Sequence, residues 1–556
     1  MWFTVAGGVL SDVYYPTVDN TEVETLQYVV TDGSTFTDLQ TRDMTYSVQA
    51  LDPSGMSCRV TSSAKSGKYR LVTDYVTDPA RASVVMHTRL VPLQGDGKNL
   101  ALYVRFDPTL NGNGGGGPGN GGADSATVDH STGHPVPVSS DVVTATNAAN
   151  RDYAQPVFAA LRADRPFPVV SSGYAGTASD GLVQLDATHS LSPVYDDAPL
   201  GNVVQTARLD RGTGADVTLA LGFGATSQAA VSTAGASARA DFETTLHRYV
   251  AGWSAYDKTL KQPPHTALPA VQDAALAGTY YLSANVLKAS EDKTFPGAIV
   301  ASLASPWGQA VSAGDPANTY FGSYREVFAR DLYETFTGLL ASGDVATAKA
   351  TVLFLFNRQQ LPDGSIPRNS LVNGKAAPDS FNVQLDEVAY PILMARTVGL
   401  TGAGLYSAHI KKAADYLVAH GPSSGPERWE EQGGYSPSTI AAEIAGLVAA
   451  GAIADKNGDH AGARVYRATA DTYQRDIKAW TVTTNGPYSS SPYFIRLSKT
   501  GDPDAAIAYN LGNGGPTADQ RSVIDGGFQE LARLGELPIS DSDIQASLGV
   551  LDKQVS

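Results

Sequence analysis

Between residues 240 and 265 the apolar residues of this chain change their spacing, from every second position to every third or fourth. A period of two belongs to strands with one buried face, and a period of 3.6 to amphipathic helices. Two architectures must therefore follow one another. Up to about residue 240, short runs rich in β-branched and aromatic residues alternate, as in Ser83 to Leu90, Leu100 to Phe106 and Val217 to Phe223. Turn clusters separate them at the intervals of an antiparallel β-sandwich.

Residues 241–264 carry a helical pattern through Phe242, Leu246, Tyr249, Val250 and Trp253 that ends at Pro263-Pro264. They read as a helical linker, with a domain boundary near 260. Beyond it, Tyr406, Ile410, Ala413 and Leu417 form one helical stripe, and Ile440, Ile444, Leu447 and Val448 another. Gly343-Asp344, Gly399 to Gly402, Asn457-Gly458-Asp459 and Gly535 punctuate the pattern. The result is a series of αα-hairpins, with roughly nine helices near 270–289, 331–342, 344–360, 386–399, 404–420, 437–453, 459–480, 522–535 and 541–553. The division is a β-sandwich domain over 1–240, a linker over 241–264 and a helical domain over 265–556.

Composition narrows the function classes. Hydrophobic residues make up 42% of the 556, enough for sizeable cores, and charged residues only 17%, which argues against disorder. Asp plus Glu outnumber Lys plus Arg by 56 to 40, a net charge of −16, which disfavours nucleic acid and anionic membranes as partners. The one cysteine, Cys58, allows no intrachain disulfide. No apolar run approaches the roughly 18 residues needed to span a bilayer. The chain opens Met1-Trp2-Phe3-Thr4-Val5 with no basic leader, so no signal peptide is visible and the true N-terminus is expected upstream.

Three apparent ligand motifs fail on spacing. The glycine-rich tract from Asn111 to Gly122 neither opens a helix after a strand nor carries a lysine, so it reads as a loop rather than a phosphate cradle. His130 and His134 are four apart but in a Ser/Gly/Pro-rich segment, which disfavours a metal site. Asp455 to Asp459 resembles a calcium loop, yet His460 stands at the sixth position and Tyr466 at the twelfth. No cofactor or metal is expected, and a structural calcium has no support in the sequence.

The chemistry concentrates in three acid-bearing segments at helix starts. They are Tyr324 to Asp331, Gln384-Leu385-Asp386-Glu387 and Glu427-Arg428-Trp429-Glu430-Glu431. In the last, Gly433-Gly434-Tyr435-Ser436-Pro437 specifies a helix start, with Ser436 able to cap and Pro437 at the first helical position. Taken singly, Arg330-Asp331 could be an ion pair and Asp386-Glu387 a response to the helix macrodipole. Three such loops on successive hairpins, converging if the helices form a ring, suggest a shared funnel. A carboxyl beside an indole is expected to be desolvated and to keep its proton, as a general acid must, and an adjacent carboxylate should raise its pKa further.

These residues carry a resemblance. The helical half resembles glycoside hydrolase family 15, the glucoamylases and glucodextranases, through the segment ending at Arg330-Asp331, Gly364-Ser365-Ile366-Pro367, Gln384 to Glu387 and Trp429-Glu430-Glu431. The start, Gly8-Val9-Leu10-Ser11-Asp12-Val13-Tyr14-Tyr15-Pro16, resembles the β-sandwich that precedes the barrel in bacterial members. The resemblance implies an (α/α)6 barrel after the sandwich, with Glu430 as general acid. It implies that Glu431 binds the adjacent sugar, that Arg330 and Asp331 hold glucose hydroxyls and that Trp429 forms part of the pocket wall. Tyr324, Gln384, Asp386 and Glu387 complete the expected substrate-binding set.

The chain departs from the family pattern at Phe328, where many bacterial members carry Trp. It also shows no counterpart of the family's general-base Glu and ends at Ser556, after too few helices for a twelve-helix barrel. Val523 to Phe528 resembles a segment that precedes the base, so the chain reads as a fragment of the barrel. An inverting enzyme needs a second carboxylate roughly 6.5–9.5 Å from the acid; if these residues were the whole protein, weak or no hydrolysis would be expected. The function implied is an exo-acting, inverting α-glucosidase releasing β-glucose from α-glucan ends, with α-1,6 linkages favoured by the sandwich and α-1,4 close behind. The alternatives are a catalytically impaired glucan-binding protein, a trehalase and a purely structural array. The expected partner is an α-glucan, and the protein is expected to be a secreted monomer.

Overall fold

A computed structural model describes residues 1–112, 124–142, 150–212, 216–265, 267–303, 324–377, 380, 382–512 and 514–555. The glycine-rich tract lies largely outside the described residues. The chain divides into two compact units, one of Met1–Phe295, Ile299–Glu326 and Ala341–Gly343, the other of Pro296–Ala298, Val327–Leu340 and Asp344–Ser556.

The alternating residues of the first unit form two antiparallel sheets. One runs through Trp2–Ala6, Val9–Tyr14, Val23–Thr31, Ala101–Pro108, Val203–Arg208 and Val170–Tyr174, with Thr37–Leu39 paired to Val23–Thr31. The other runs through Asp197–Gly201, Asp124–Asp129, Val136–Asp141, Val157–Ala163, Asp216–Gly224, Ser83–Pro92, Tyr69–Thr77, Cys58–Ala64 and Met44–Ala50. Leu26, Tyr28, Val104 and Phe106 of the first sheet share one core with Leu71, Tyr75, Met86, Leu161, Leu221 and Phe223 of the second. Thr88 Oγ1 donates to Tyr28 Oη at 2.6 Å inside that core.

A helix over Ser227–Arg239 was not legible in the sequence. Its buried residues are Ala230, Val231, Ala234, Gly235, Ser237 and Ala238, too small to print an apolar stripe. Ala230, Val231 and Ala234 pack on Val136, Val138 and Ala160. The approach is so close that a Cβ at Gly222 would lie 2.4 Å from the Ala234 nitrogen. The expected linker helix forms over Phe242–Asp257 and docks, placing Phe242 against Val76, Val85 and Ala220. The first unit's main run extends to Phe295 and so takes in the helix Ala270–Ala289.

In the second unit the helical stripes become α1 (Ala329–Ser342), α2 (Val345–Phe354), α3 (Leu385–Thr397), α4 (Lys411–His420), α5 (Pro437–Lys456), α6 (His460–Thr481), α7 (Gln529–Arg533) and α8 (Ser542–Val555). Asp344 caps α2 by accepting from Thr347 N at 3.0 Å, and Asp459 caps α6 by accepting from Gly462 N at 2.8 Å. Helices α3 and α5 are buried almost all round, whereas α6 buries one stripe of Ala463, Tyr466, Ala470, Tyr473 and Ile477. That contrast of inner and outer helices is the packing of an (α/α) barrel. Tyr333 of α1 stacks on Tyr390 of α3 with ring centroids 4.2 Å apart, and α5 meets α3 where Gly446 lies against Ala389.

Three sequence expectations need correction. The helix expected over 522–535 shrinks to α7, because Gly526-Gly527 break it and Asp525 Oδ1 accepts from Gly527 N at 2.9 Å. Pro437 takes the first helical position, but the Ser436 side chain makes no capping bond. Helix α5 is long and apolar enough to cross a membrane by length and composition, contrary to the reading of the apolar runs. With 89% of its apolar window buried inside the protein, it is a core helix. The calcium-like turn is held by protein donors: His460 and Arg467 on Asp455, and Tyr406 and Lys411 on Asp459.

Candidate active site

The loop before α5 is closed at its base by Ser424 and Gly434, which exchange backbone hydrogen bonds at 3.1 and 3.0 Å. Inside it, Glu430 N donates to Glu427 O at 2.8 Å and Glu427 N to Gln432 O at 2.8 Å. This tight turn forces Glu430 to φ +74°. A left-handed backbone in a residue with a Cβ costs about 1–3 kcal/mol and survives where surrounding contacts over-determine it.

Those contacts hold the neighbours of Glu430. Arg496 donates to Glu427 Oε1 through Nε (3.2 Å) and Nη2 (2.5 Å), and through Nη2 to Glu431 Oε2 (3.4 Å). Glu427 is fully buried, and desolvation pushes its pKa up against the opposing Arg496 charge. Asp525 Oδ2 accepts from Arg428 Nη2 and from Trp429 Nε1, both at 2.8 Å. The Arg428 guanidinium lies 5.2 Å from the Trp429 ring centroid.

The Glu430 carboxyl turns elsewhere. Its Oε2 accepts from Arg368 Nη1 at 2.6 Å, and its Oε1 from Gln384 Nε2 at 3.5 Å. Gln384 Oε1 in turn accepts from Arg330 Nη2. Arg330 grips Asp386 through Nε (2.7 Å) and Nη2 (3.2 Å), and donates through Nη1 to the Arg428 carbonyl (3.1 Å). One guanidinium therefore joins the start of α1, the start of α3 and the Glu430 loop. Burial works against its charge, but Asp386 and Glu387 more than compensate and raise its pKa.

The structure brings together Arg330, Asp331, Gln384, Asp386, Glu387, Trp429, Glu430 and Glu431, in differing roles. Gln384, Asp386 and Glu387, expected to meet substrate, are all fully buried and contact Arg330. Glu387 sits so deep that desolvation drives its pKa well above the carboxylate range, and its Oε2 has no partner among the described residues. Asp331 is exposed. Desolvation pushes its carboxyl up, with Arg330 opposing and the Glu430 charge adding. Trp429 is 52% exposed and the Glu430 side chain 35%, so the indole does not seal the carboxyl from water. Tyr324 falls in the first unit, where its carbonyl accepts from Ser302 N at 2.9 Å.

Arg368, Arg496 and Asp525 were not singled out from sequence. Arg368 directly follows the Gly364 to Pro367 loop, and Asp525 lies inside Val523 to Phe528, both already marked by resemblance. For Arg496 the signal was one charge within Tyr493-Phe494-Ile495-Arg496-Leu497. Among the described residues no group of His, Cys, Asp and Glu could hold a metal ion.

A family model described as Glucodextranase, domain N, matches residues 1–258, and one described as Glycosyl hydrolases family 15 matches residues 368–553. A glucoamylase of Clostridium sp. (strain G0005) is 33% identical over 555 residues, covering 100% of this chain and 73% of the relative. A crystal structure of a bacterial glucoamylase complexed with acarbose superposes with a TM-score of 0.88 at 32% identity, covering 100% of this chain and 76% of that one.

Proposed function

Because the chain belongs to glycoside hydrolase family 15, we propose that it is an exo-acting, inverting glucosidase that releases β-D-glucose from the non-reducing ends of α-glucans. The observation that carries this reading is the Glu430 carboxyl. It is turned out of its loop by a left-handed backbone, flanked by an exposed indole and joined through Gln384 to the Arg330 fork. In this role Glu430 protonates the leaving glycosidic oxygen, and a second carboxylate takes the proton of the water that attacks the anomeric carbon. The Trp429 face packs on the sugar ring, and Asp331 accepts from glucose hydroxyls. Arg330 works from beneath by locking the three loops in register.

We place α-1,4 chain ends ahead of α-1,6. The whole-chain likeness is to glucoamylases and includes the Glu430 loop, whereas the glucodextranase match ends at residue 258. The protein acts outside the cell, since polymeric glucans do not cross a cell envelope, and as a monomer. Activity recovered from cell-free medium and a one-chain mass by light scattering check these two points.

The test compares the full-length protein, wild type and Glu430→Gln, on maltotriose and isomaltotriose, following the released anomer by NMR. Wild type should release β-glucose first, and faster from maltotriose. Glu430→Gln should lose roughly 10²–10⁴-fold in turnover, while acarbose still raises the melting temperature of both forms. Initial α-glucose would refute inversion, and equal turnover of the two proteins would refute the assignment of Glu430. One observation favours a second reading, a glucan-binding protein with impaired turnover: the Arg368 contact at 2.6 Å must open before Glu430 Oε2 can face a glycosidic oxygen. Acarbose binding without turnover in either form is the outcome that reading expects.

A further inference from the structure

Four of the five side chains from Glu427 to Glu431 are held by just two residues far along the chain. Arg496 takes Glu427 and Glu431, and Asp525 takes Arg428 and Trp429. The segments of the two holders are joined, because Arg496 N donates at 2.9 Å to the carbonyl of Val523, two residues before Asp525. Only Glu430 escapes, facing Arg368 and Gln384.

Asp525 has the more exacting part of this arrangement. Its Oδ2 accepts from two donors on adjacent residues, and its Oδ1 accepts from Gly527 N at 2.9 Å. The carboxylate therefore cannot rotate without breaking a backbone bond. An indole N–H accepts no bond and offers one donor, so a single acceptor sets where the ring edge points. Asp525 is that acceptor, and it leaves the ring 52% exposed, a face presented rather than packed away. Arg428 passes the constraint on: its guanidinium is fixed by Asp525 while its carbonyl accepts from Arg330 Nη1 at 3.1 Å.

We propose that Asp525 is the positioning residue of this site, orienting the Trp429 platform and, through Arg428, aiming Glu430. The proposal rests on the assignment of Glu430 as general acid. Three of the roughly four acceptor sites of the Asp525 carboxylate are taken by protein donors, so its bonds go to the loop. It explains how a half-exposed tryptophan and a strained glutamate hold fixed places on a loop. Trp429 is pinned directly from a segment 96 residues away, and Glu430 only indirectly, through its neighbours Arg428 and Trp429.

The test uses the full chain and the variants Asp525→Ala and Asp525→Asn, each also made on a Trp429→Phe background. Turnover is measured on maltotriose, folding by thermal melting and the Trp429 environment by the fluorescence difference between each protein and its Trp429→Phe counterpart. Asp525→Ala should lose on the order of 10²-fold in kcat with less change in KM, and its Trp429 emission should move to the red as the indole meets water. Asp525→Asn keeps an acceptor for the indole and should recover part of both while melting close to wild type. A positioning role is overturned if Asp525→Ala leaves kcat and emission unchanged while Glu430→Gln abolishes turnover. It is equally overturned if every loss tracks the unfolded fraction. Equal inactivity of wild type and Glu430→Gln would instead overturn the functional reading, and with it any role in aiming an acid.

Discussion

Arg368 and Glu430, 62 residues apart in sequence, meet in a hydrogen-bonded ion pair of 2.6 Å. The guanidinium stem is nearly buried beside the Phe328 ring, 5.8 Å from its centroid, while the carboxylate is about a third exposed. This contact orients the Glu430 side chain, because the alternative partner, Gln384, is 3.5 Å away. Arg368→Gln should lower kcat about tenfold through loss of orientation. The melting temperature should change little, since the Glu430 carboxylate, about a third exposed, is hydrated when the pair is lost and such a pair contributes about 0–1 kcal/mol. Steady-state kinetics on maltotriose and a melting curve check both. A variant faster than wild type would show that Arg368 restrains Glu430 rather than orienting it.

Arg330 sits over two fully buried carboxylates, Asp386 and Glu387. Removing the guanidinium leaves Asp386 as an uncompensated buried charge. Arg330→Met should therefore cost about 3–5 kcal/mol. Arg330→Lys should cost less, keeping the charge but not the fork that reaches Gln384 and Asp386 together. Urea denaturation of the three proteins gives the ranking. A loss below about 1 kcal/mol for the Met variant would mean that the fork is not a structural keystone.

Glu443, in the middle of α5, is fully buried, and neither of its oxygens has a partner among the described residues. Desolvation, aided by the Asp386 charge, drives its pKa well above the carboxylate range. The unfolded chain ionises it near an ordinary glutamate value, while the folded protein keeps it neutral. The stabilising contribution is complete below that ordinary value and is lost as pH rises towards the folded one. The loss runs at about 1.4 kcal/mol per pH unit. Glu443→Gln lacks this term, so its melting temperature should match wild type near pH 4 and exceed it by a widening margin towards pH 8. A gap that stays constant with pH would contradict the assignment.

The elements were legible where large apolar residues kept one period. Ser83–Pro92, Asp216–Gly224 and Lys411–His420 form close to where their patterns predict. Legibility failed where local chemistry was quiet or contradictory. Ser227–Arg239 buries only small side chains, and the stretch around Gly526-Gly527 has the right periodicity but cannot sustain a helix. In the site, the Trp-Glu-Glu segment and the Arg-Asp pair were readable as motifs. Their roles were not, because Asp386 and Glu387 look like exposed first-turn acids on paper and prove to be the buried counter-charges of Arg330.

By itself the sequence determined most of the strands and helices and which loop carries Trp429, Glu430 and Glu431. These follow from side-chain periods and turn residues acting over a few positions. Which oxygen of Glu430 faces which donor was decided only by the tertiary structure. Arg368, Gln384 and Asp525 reach the loop from 62, 46 and 96 residues away, and nothing in the local pattern fixes distances across such gaps. Packing of the helices supplies those distances, and with them the left-handed turn that points one glutamate away from its neighbours.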